Sequence, residues 1–118
     1  MKLVSLGLIA LVAALHFGFL ILEMFLWDHP VGRKVFRMTP QVSASSKVLA
    51  ANQGLYNGFL VAGLVWALMS DRLDVKIFFL ACVIVAGVYG ALTVKPRILF
   101  IQALPAALAL AAVWAANF

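Results

Sequence analysis

Charge is what this chain has least of. Asp, Glu, Lys and Arg make up 11% of its 118 residues, whereas soluble domains carry about 25%. A water-facing surface cannot be built from that inventory. Carboxylates number four and cysteines one. An intramolecular disulfide is therefore excluded, and Cys82, inside an apolar run, reads as a small packing residue. There is no phosphate-binding loop, no dinucleotide fingerprint and no nucleophile–base pair in sequence. His16 and Glu23 are the two candidate metal ligands, too few for a closed site of about four, so neither a metal nor a cofactor is expected. The net charge of +5 sits in short connections and does not suggest nucleic acid.

What the chain does have is apolar length. It is 66% hydrophobic, with a mean hydropathy of +1.12. Four runs, 3–27, 48–70, 77–94 and 98–118, approach or exceed the length needed to cross a ~30 Å hydrocarbon core. The predicted fold class is all-α, a single four-helix transmembrane domain over residues 1–118. The first run resembles a secretory signal at its start but continues to Trp27, too long for a signal's apolar segment, so it is read as a retained span. Membrane lipids are the first expected partner.

With four spans, both termini and the connection 71–76 share one side. That side carries Lys2, Arg72 and Lys76. The other carries Arg33, Lys34, Arg37, Lys47, Lys95 and Arg97, and the positive-inside bias puts it in the cytoplasm, with both termini outside. In the long connection 28–47, Pro30 stops the first helix. Asp28 and His29 read as solvated boundary residues. Val35, Phe36 and Met38, interleaved with Arg33, Lys34 and Arg37, predict a short interfacial segment broken by Thr39-Pro40. Ser43, Ser45 and Ser46 are N-cap candidates for the second span. The connection 95–97 is so short that spans three and four must form an antiparallel hairpin.

At 100° per residue, the second span carries a ridge of small residues (Ala50, Gly54, Gly58, Ala62), which permits close helix approach. A bulky stripe, Val48, Leu55, Phe59 and Trp66, is expected to face lipid. A polar arc, Asn52, Gln53, Tyr56 and Asn57, abuts the ridge and is expected to face protein. The third span repeats the ridge as Cys82, Ala86 and Gly90. The fourth is alanine-rich, and Pro105 predicts a freed Ile101 carbonyl and a local bend. These small-residue faces, on so short a chain, invite further packing and predict a homo-oligomer.

Polar side chains are costly inside spans, so they mark a candidate site. His16 and Glu23, two turns apart, share one face of the first helix, with Trp27 as interface anchor. Helical counting places Glu23, the polar arc, Tyr89, Lys95 and Arg97 at similar depth on the cytoplasmic side. An ionised Glu23 alone there is expensive, so it must be protonated or held by Tyr56, by the Asn52 or Gln53 amides, or by a cation. His16, Glu23, Asn52, Gln53, Tyr56, Asn57, Tyr89, Lys95 and Arg97 form the candidate ligand-binding set. The expected ligand is a small amphiphile, bound or passed through. The alternatives are a structural clasp between helices, in a structural or regulatory subunit, and a thiol-conjugating membrane enzyme in which Tyr56 or Tyr89 activates the thiol and Lys95 and Arg97 hold carboxylates.

The string Ala51-Asn52-Gln53-Gly54-Leu55-Tyr56-Asn57-Gly58-Phe59-Leu60, preceded by His16 and by Glu23-Met24-Phe25-Leu26-Trp27, resembles the DUF1304 family of small bacterial membrane proteins over nearly the whole chain. The resemblance implies a bacterial inner-membrane protein and no assigned activity. It marks His16, Glu23, Asn52, Gln53, Tyr56 and Asn57 as motif positions. In size, number of spans and a long first connection the chain is also similar in architecture to the MAPEG proteins, trimeric four-helix membrane enzymes that use glutathione. It lacks the arginine-rich pattern of their helices, and no catalytic residue is carried over.

Overall fold

A computed structural model describes residues 1–118. The chain is all-α: α1 (Lys2–Met24), α2 (Pro30–Val35), α3 (Pro40–Ser70), α4 (Leu73–Thr93), a π-helical turn (Leu99–Ala103) and α5 (Leu104–Asn117). Four segments are long and apolar enough to cross a membrane: α1, α3, α4 and Leu99–Asn117. Helix is the form expected there, because it pairs nearly every backbone group within its own segment where no water can do so. Only 28% of each apolar window is buried within the chain. Most of its apolar surface is left for lipid or for another protein.

The helix boundaries differ from those predicted, for local reasons. The second span starts eight residues early, at Pro40. Thr39, not Ser43, Ser45 or Ser46, is the cap, its Oγ1 accepting from the Val42 N–H at 3.2 Å, and Pro40 sits where a missing N–H costs nothing. The third starts at Leu73 instead of Ile77, so Asp74 and Lys76 lie in its first turns. The connection before it shrinks to Asp71-Arg72, with Asp71 in the left-handed region at φ 53°. In the fourth, the irregularity expected at Pro105 takes the form of the π-helical turn just before it, with the Leu104 N–H reaching back to the Leu99 carbonyl.

The chain divides into two compact units, residues 15–61 and residues 1–14 with 62–118. In the first, Gly54 and Gly58 of the small ridge pack on the last turns of α1. A Cβ on Gly54 would lie 2.5 Å from Met24 Cγ and 3.3 Å from the Leu20 carbonyl oxygen, and one on Gly58 would lie 3.0 Å from Leu20 Cδ1. Val48, Leu55 and Phe59 are exposed, as a lipid-facing stripe requires. The connection 28–39 is well built. The His29 Nδ1 accepts from the Val31 N–H at 3.1 Å and caps α2. Trp27 packs on Phe36 with ring centroids 4.7 Å apart, and its Nε1 donates to Ser46 Oγ at 2.9 Å. Gly32 leaves no space for a side chain, since a Cβ there would collide with the Leu26 carbonyl. Asp28 is more engaged than a solvated boundary residue. It accepts from Ser43 Oγ at 2.6 Å and from Arg33 Nη1 at 3.0 Å, and these hold its carboxyl below the usual range, the Ser43 bond foremost.

In the second unit, α4 and the chain after it form the predicted hairpin, but the small ridge is offset from the prediction. Ala86 is exposed and Cys82 only partly buried. The buried line is Lys76, Leu80, Val83 and Gly87. Gly87 is the close-approach point, where a Cβ would lie 2.7 Å from the Ala103 backbone nitrogen. Gly90 meets Ile98 at 3.2 Å in the same sense. Facing them, Ala103, Ala106, Ala109 and Ala112 are buried, with Val113. Ile9, Leu64, Leu80 and Val113 are fully buried in this unit. In lipid such contacts hold by packing density and not by release of water, so small, close-fitting residues matter more than large apolar ones.

Candidate functional site

Within residues 15–61 a small polar knot joins α1 and α3, and it holds fewer residues than the candidate set. Glu23 is 5% exposed and Asn57 7%. The Asn57 Nδ2 donates to Glu23 Oε1 across the two helices, and the Gln53 side chain is a second hydrogen-bond partner of the same carboxyl. The placement follows from the local packing. A Cβ on Gly54 would lie 3.1 Å from the Glu23 Cβ, so the glycine permits the close approach, and Asn57, three residues on, then lies on the facing side.

His16, two turns before Glu23, is 1% exposed and stands edge-on to Phe19 at 5.3 Å. It has partners of its own. Asn52 and Gln53 lie exposed on α3, and Tyr56 is 60% exposed, T-shaped to Phe59 at 5.5 Å. The polar arc therefore does not face protein as a whole. Asn52 and Asn57 are five residues, hence about 140°, apart around a helix, so one packed face cannot hold both.

Tyr89, Lys95 and Arg97 belong to the other unit. Tyr89 is 70% exposed, and its carbonyl accepts from Thr93 Oγ1 at 2.7 Å. Lys95 is partly buried and Arg97 exposed. Their backbone groups close the turn into the fourth span, where the Ile98 N–H donates to the Lys95 carbonyl at 3.1 Å.

Sequence reasoning missed a second polar cluster, in residues 1–14 and 62–118. Asp71 Oδ2 meets Lys2 Nζ at 2.6 Å and Asp71 Oδ1 meets Lys76 Nζ at 2.5 Å. Lys76 is 4% exposed. The hydrogen bonds from Lys2 and Lys76 hold the Asp71 carboxyl down at about 2, so it is ionised at neutral pH. The signal available in sequence was the spacing Asp71–Lys76 beside a helix start. A charged residue at a span boundary gives no sign of burial by itself. Cavities of about 330 and 220 Å³ also lie in this unit, the first lined by Trp66, Val75 and Phe79 among others, the second by the ionic cluster.

An all-α chain with four spanning-length helices and a buried carboxyl–carboxamide bond between two of them belongs to the class of small polytopic membrane proteins. The family model described as "Protein of unknown function (DUF1304)" matches residues 10–114, and the chain belongs to that family. It is 33% identical over 114 residues to the uncharacterized protein YpaA of Lactococcus lactis subsp. lactis (strain IL1403), covering 93% of this chain and 96% of that one. No solved structure matches the chain. The likeness to MAPEG enzymes finds no support in these comparisons.

Proposed function

We propose that the Glu23–Asn57 knot is the head-group site for a small amphiphilic molecule, bound or passed along from the cytoplasmic side of a bacterial inner membrane. The observation that carries this reading is a buried Glu23 carboxyl held by the Asn57 and Gln53 carboxamides, with Asn52 and Tyr56 exposed on the same helix as those amides, α3. Asn52 and Tyr56 are more polar groups than a clasp needs, and each is costly to leave facing lipid. They suit a polar head, and the exposed Leu49 and Phe59 suit an apolar tail. In the proton-coupled form of this reading Glu23 is the titrating group, and Glu23→Gln abolishes any pH dependence of substrate accumulation.

The test is native mass spectrometry of the full chain extracted gently from its own membrane. A stoichiometric non-lipid molecule retained by the native chain and lost in Asn52→Leu and Tyr56→Phe is the expected result. A chain that carries nothing, or assorted phospholipid in native and variant forms alike, overturns the reading.

A second reading is favoured by the completeness of the polar pairing: no buried side-chain nitrogen or oxygen lacks a partner. The knot is then a structural clasp, and a second copy of the chain covers Asn52, Gln53 and Tyr56. The same spectra decide it, because that reading requires a defined homo-oligomer without ligand that dissociates in Asn52→Leu.

A further inference from the structure

A separate cluster, independent of the Glu23 site, lines the cavity of about 220 Å³ at Lys2, Ser5, Asp71, Lys76, Ala116 and Asn117. Its lining carries two ammonium groups and one carboxylate. Asp71 is shared between Lys2 at 2.6 Å and Lys76 at 2.5 Å, so one positive charge is left over. An ammonium offers three N–H donors, and each of these lysines commits one of them to Asp71. Asn117 spends one amide N–H on the Val113 carbonyl, and Ser5, 1% exposed, donates its hydroxyl to the Lys2 carbonyl at 2.7 Å. The cavity thus keeps ammonium and amide N–H donors to spare beside the Asp71, Ser5 and Asn117 oxygens, and its lining is net positive.

The burial of Lys76 is the informative part. A lysine at a span boundary can extend its head into water, which lowers the cost of its charge. Lys76 does not do so: its side chain is 5% exposed. The burial is tolerable because Asp71 is ionised beside it, yet that carboxylate must also serve Lys2. A bound anion would complete the neutralisation.

Four spans put Lys2, the 71–76 segment and Asn117 on one side of the membrane, at helix ends. That is the level of lipid phosphates, which carry one negative charge and several acceptor oxygens, matching the surplus charge and free donors. We propose that this cavity is a binding site for a phosphate group, in which the Lys2 and Lys76 ammoniums hold the oxyanion and the Asn117 amide donates to it.

The phosphate could belong to an anionic lipid headgroup or be free inorganic phosphate, and the experiment separates the two. The full chain is placed in nanodiscs of mixed phosphatidylglycerol and phosphatidylcholine, and lipid retained on ejection is read by native mass spectrometry. In parallel, ³¹P line broadening of inorganic phosphate is measured with the detergent-solubilised chain. The lipid form predicts preferential retention of phosphatidylglycerol, reduced about tenfold by Lys2→Gln or Lys76→Gln, the loss expected for one charge-assisted contact. Lys47→Gln, an equal charge change on exposed α3 surface, should leave retention unchanged. Broadening without lipid preference, abolished by Lys2→Gln, identifies the free anion and supports the site. Equal retention of both lipids with no broadening overturns it, as does a Lys47→Gln effect equal to that of Lys2→Gln. Lys2 is exposed, so its variant keeps the test open if Lys76→Gln does not fold.

Discussion

The two units solve the same problem, a polar group at a spanning helix, with different chemistry. In residues 15–61 a buried carboxyl is met by carboxamides, Asn57 and Gln53. In residues 1–14 and 62–118 a carboxylate at a helix turn is met by two ammoniums. The difference teaches that position along the span selects the partner. Within a span, a charge must be desolvated and an amide partner costs less than an ammonium would. At a turn, water and head groups share the load, and ion pairs are tolerated although each contributes little.

The largest effect on the comparison should come from the packing that underlies it. Gly87→Val forces a side chain into the Ala103 backbone, and about 3 kcal/mol of stability should be lost, read as a lowered thermal midpoint in detergent. Next, Glu23→Leu leaves the buried Asn57 amide without its acceptor and should cost about 2 kcal/mol. Glu23→Gln, which keeps an acceptor, should cost far less. Equal midpoints for Glu23→Leu and the native chain would show that the carboxyl–amide bond holds nothing.

A third effect divides the clusters by pH and salt. The Asp71 pKa is lowered from 3.8 to about 2, so its stabilisation is present above pH ~4 and is lost as the pH falls towards 2. Asp71→Asn should remove that acid-limb dependence. Molar salt should weaken the half-exposed Lys2–Asp71 pair and leave the Glu23–Asn57 bond unchanged. The smallest effect is a gain. Arg37 closes the turn after α2 at φ 53°, with the Met38 N–H on the Arg33 carbonyl at 2.9 Å. Arg37→Gly relieves left-handed strain of about 1 kcal/mol and should raise the midpoint slightly.

Much of the fold was legible because length and apolarity alone define spans. The Gly54–Gly58 ridge was also legible, since glycines four apart on a spanning helix announce close approach. The shared face of His16 and Glu23 followed from seven-residue spacing, and both are buried. The starts of α3 and α4 were not legible, because polar residues such as Ser43 and Lys76 can continue a helix beyond its apolar run when Asp28 and Asp71 satisfy them. The offset from Ala86 to Gly87 was not legible either. Both are small, and one residue is a 100° turn.

A membrane protein of four spans, with a carboxyl and an amide-rich string in the first two, was readable from the residues alone. These features follow from hydropathy and from periodicity along one chain. It took the packed helices to select Asn57 over Asn52 as the partner of Glu23 within α1 and α3, to bury Lys76 against Asp71, and to give Gly87 the Ala103 contact. The physical reason is common to all three. In a bilayer the solvent is as apolar as the protein interior, so hydrophobicity no longer tells the packed face of a helix from the lipid face. That choice falls to the fit between neighbouring helices.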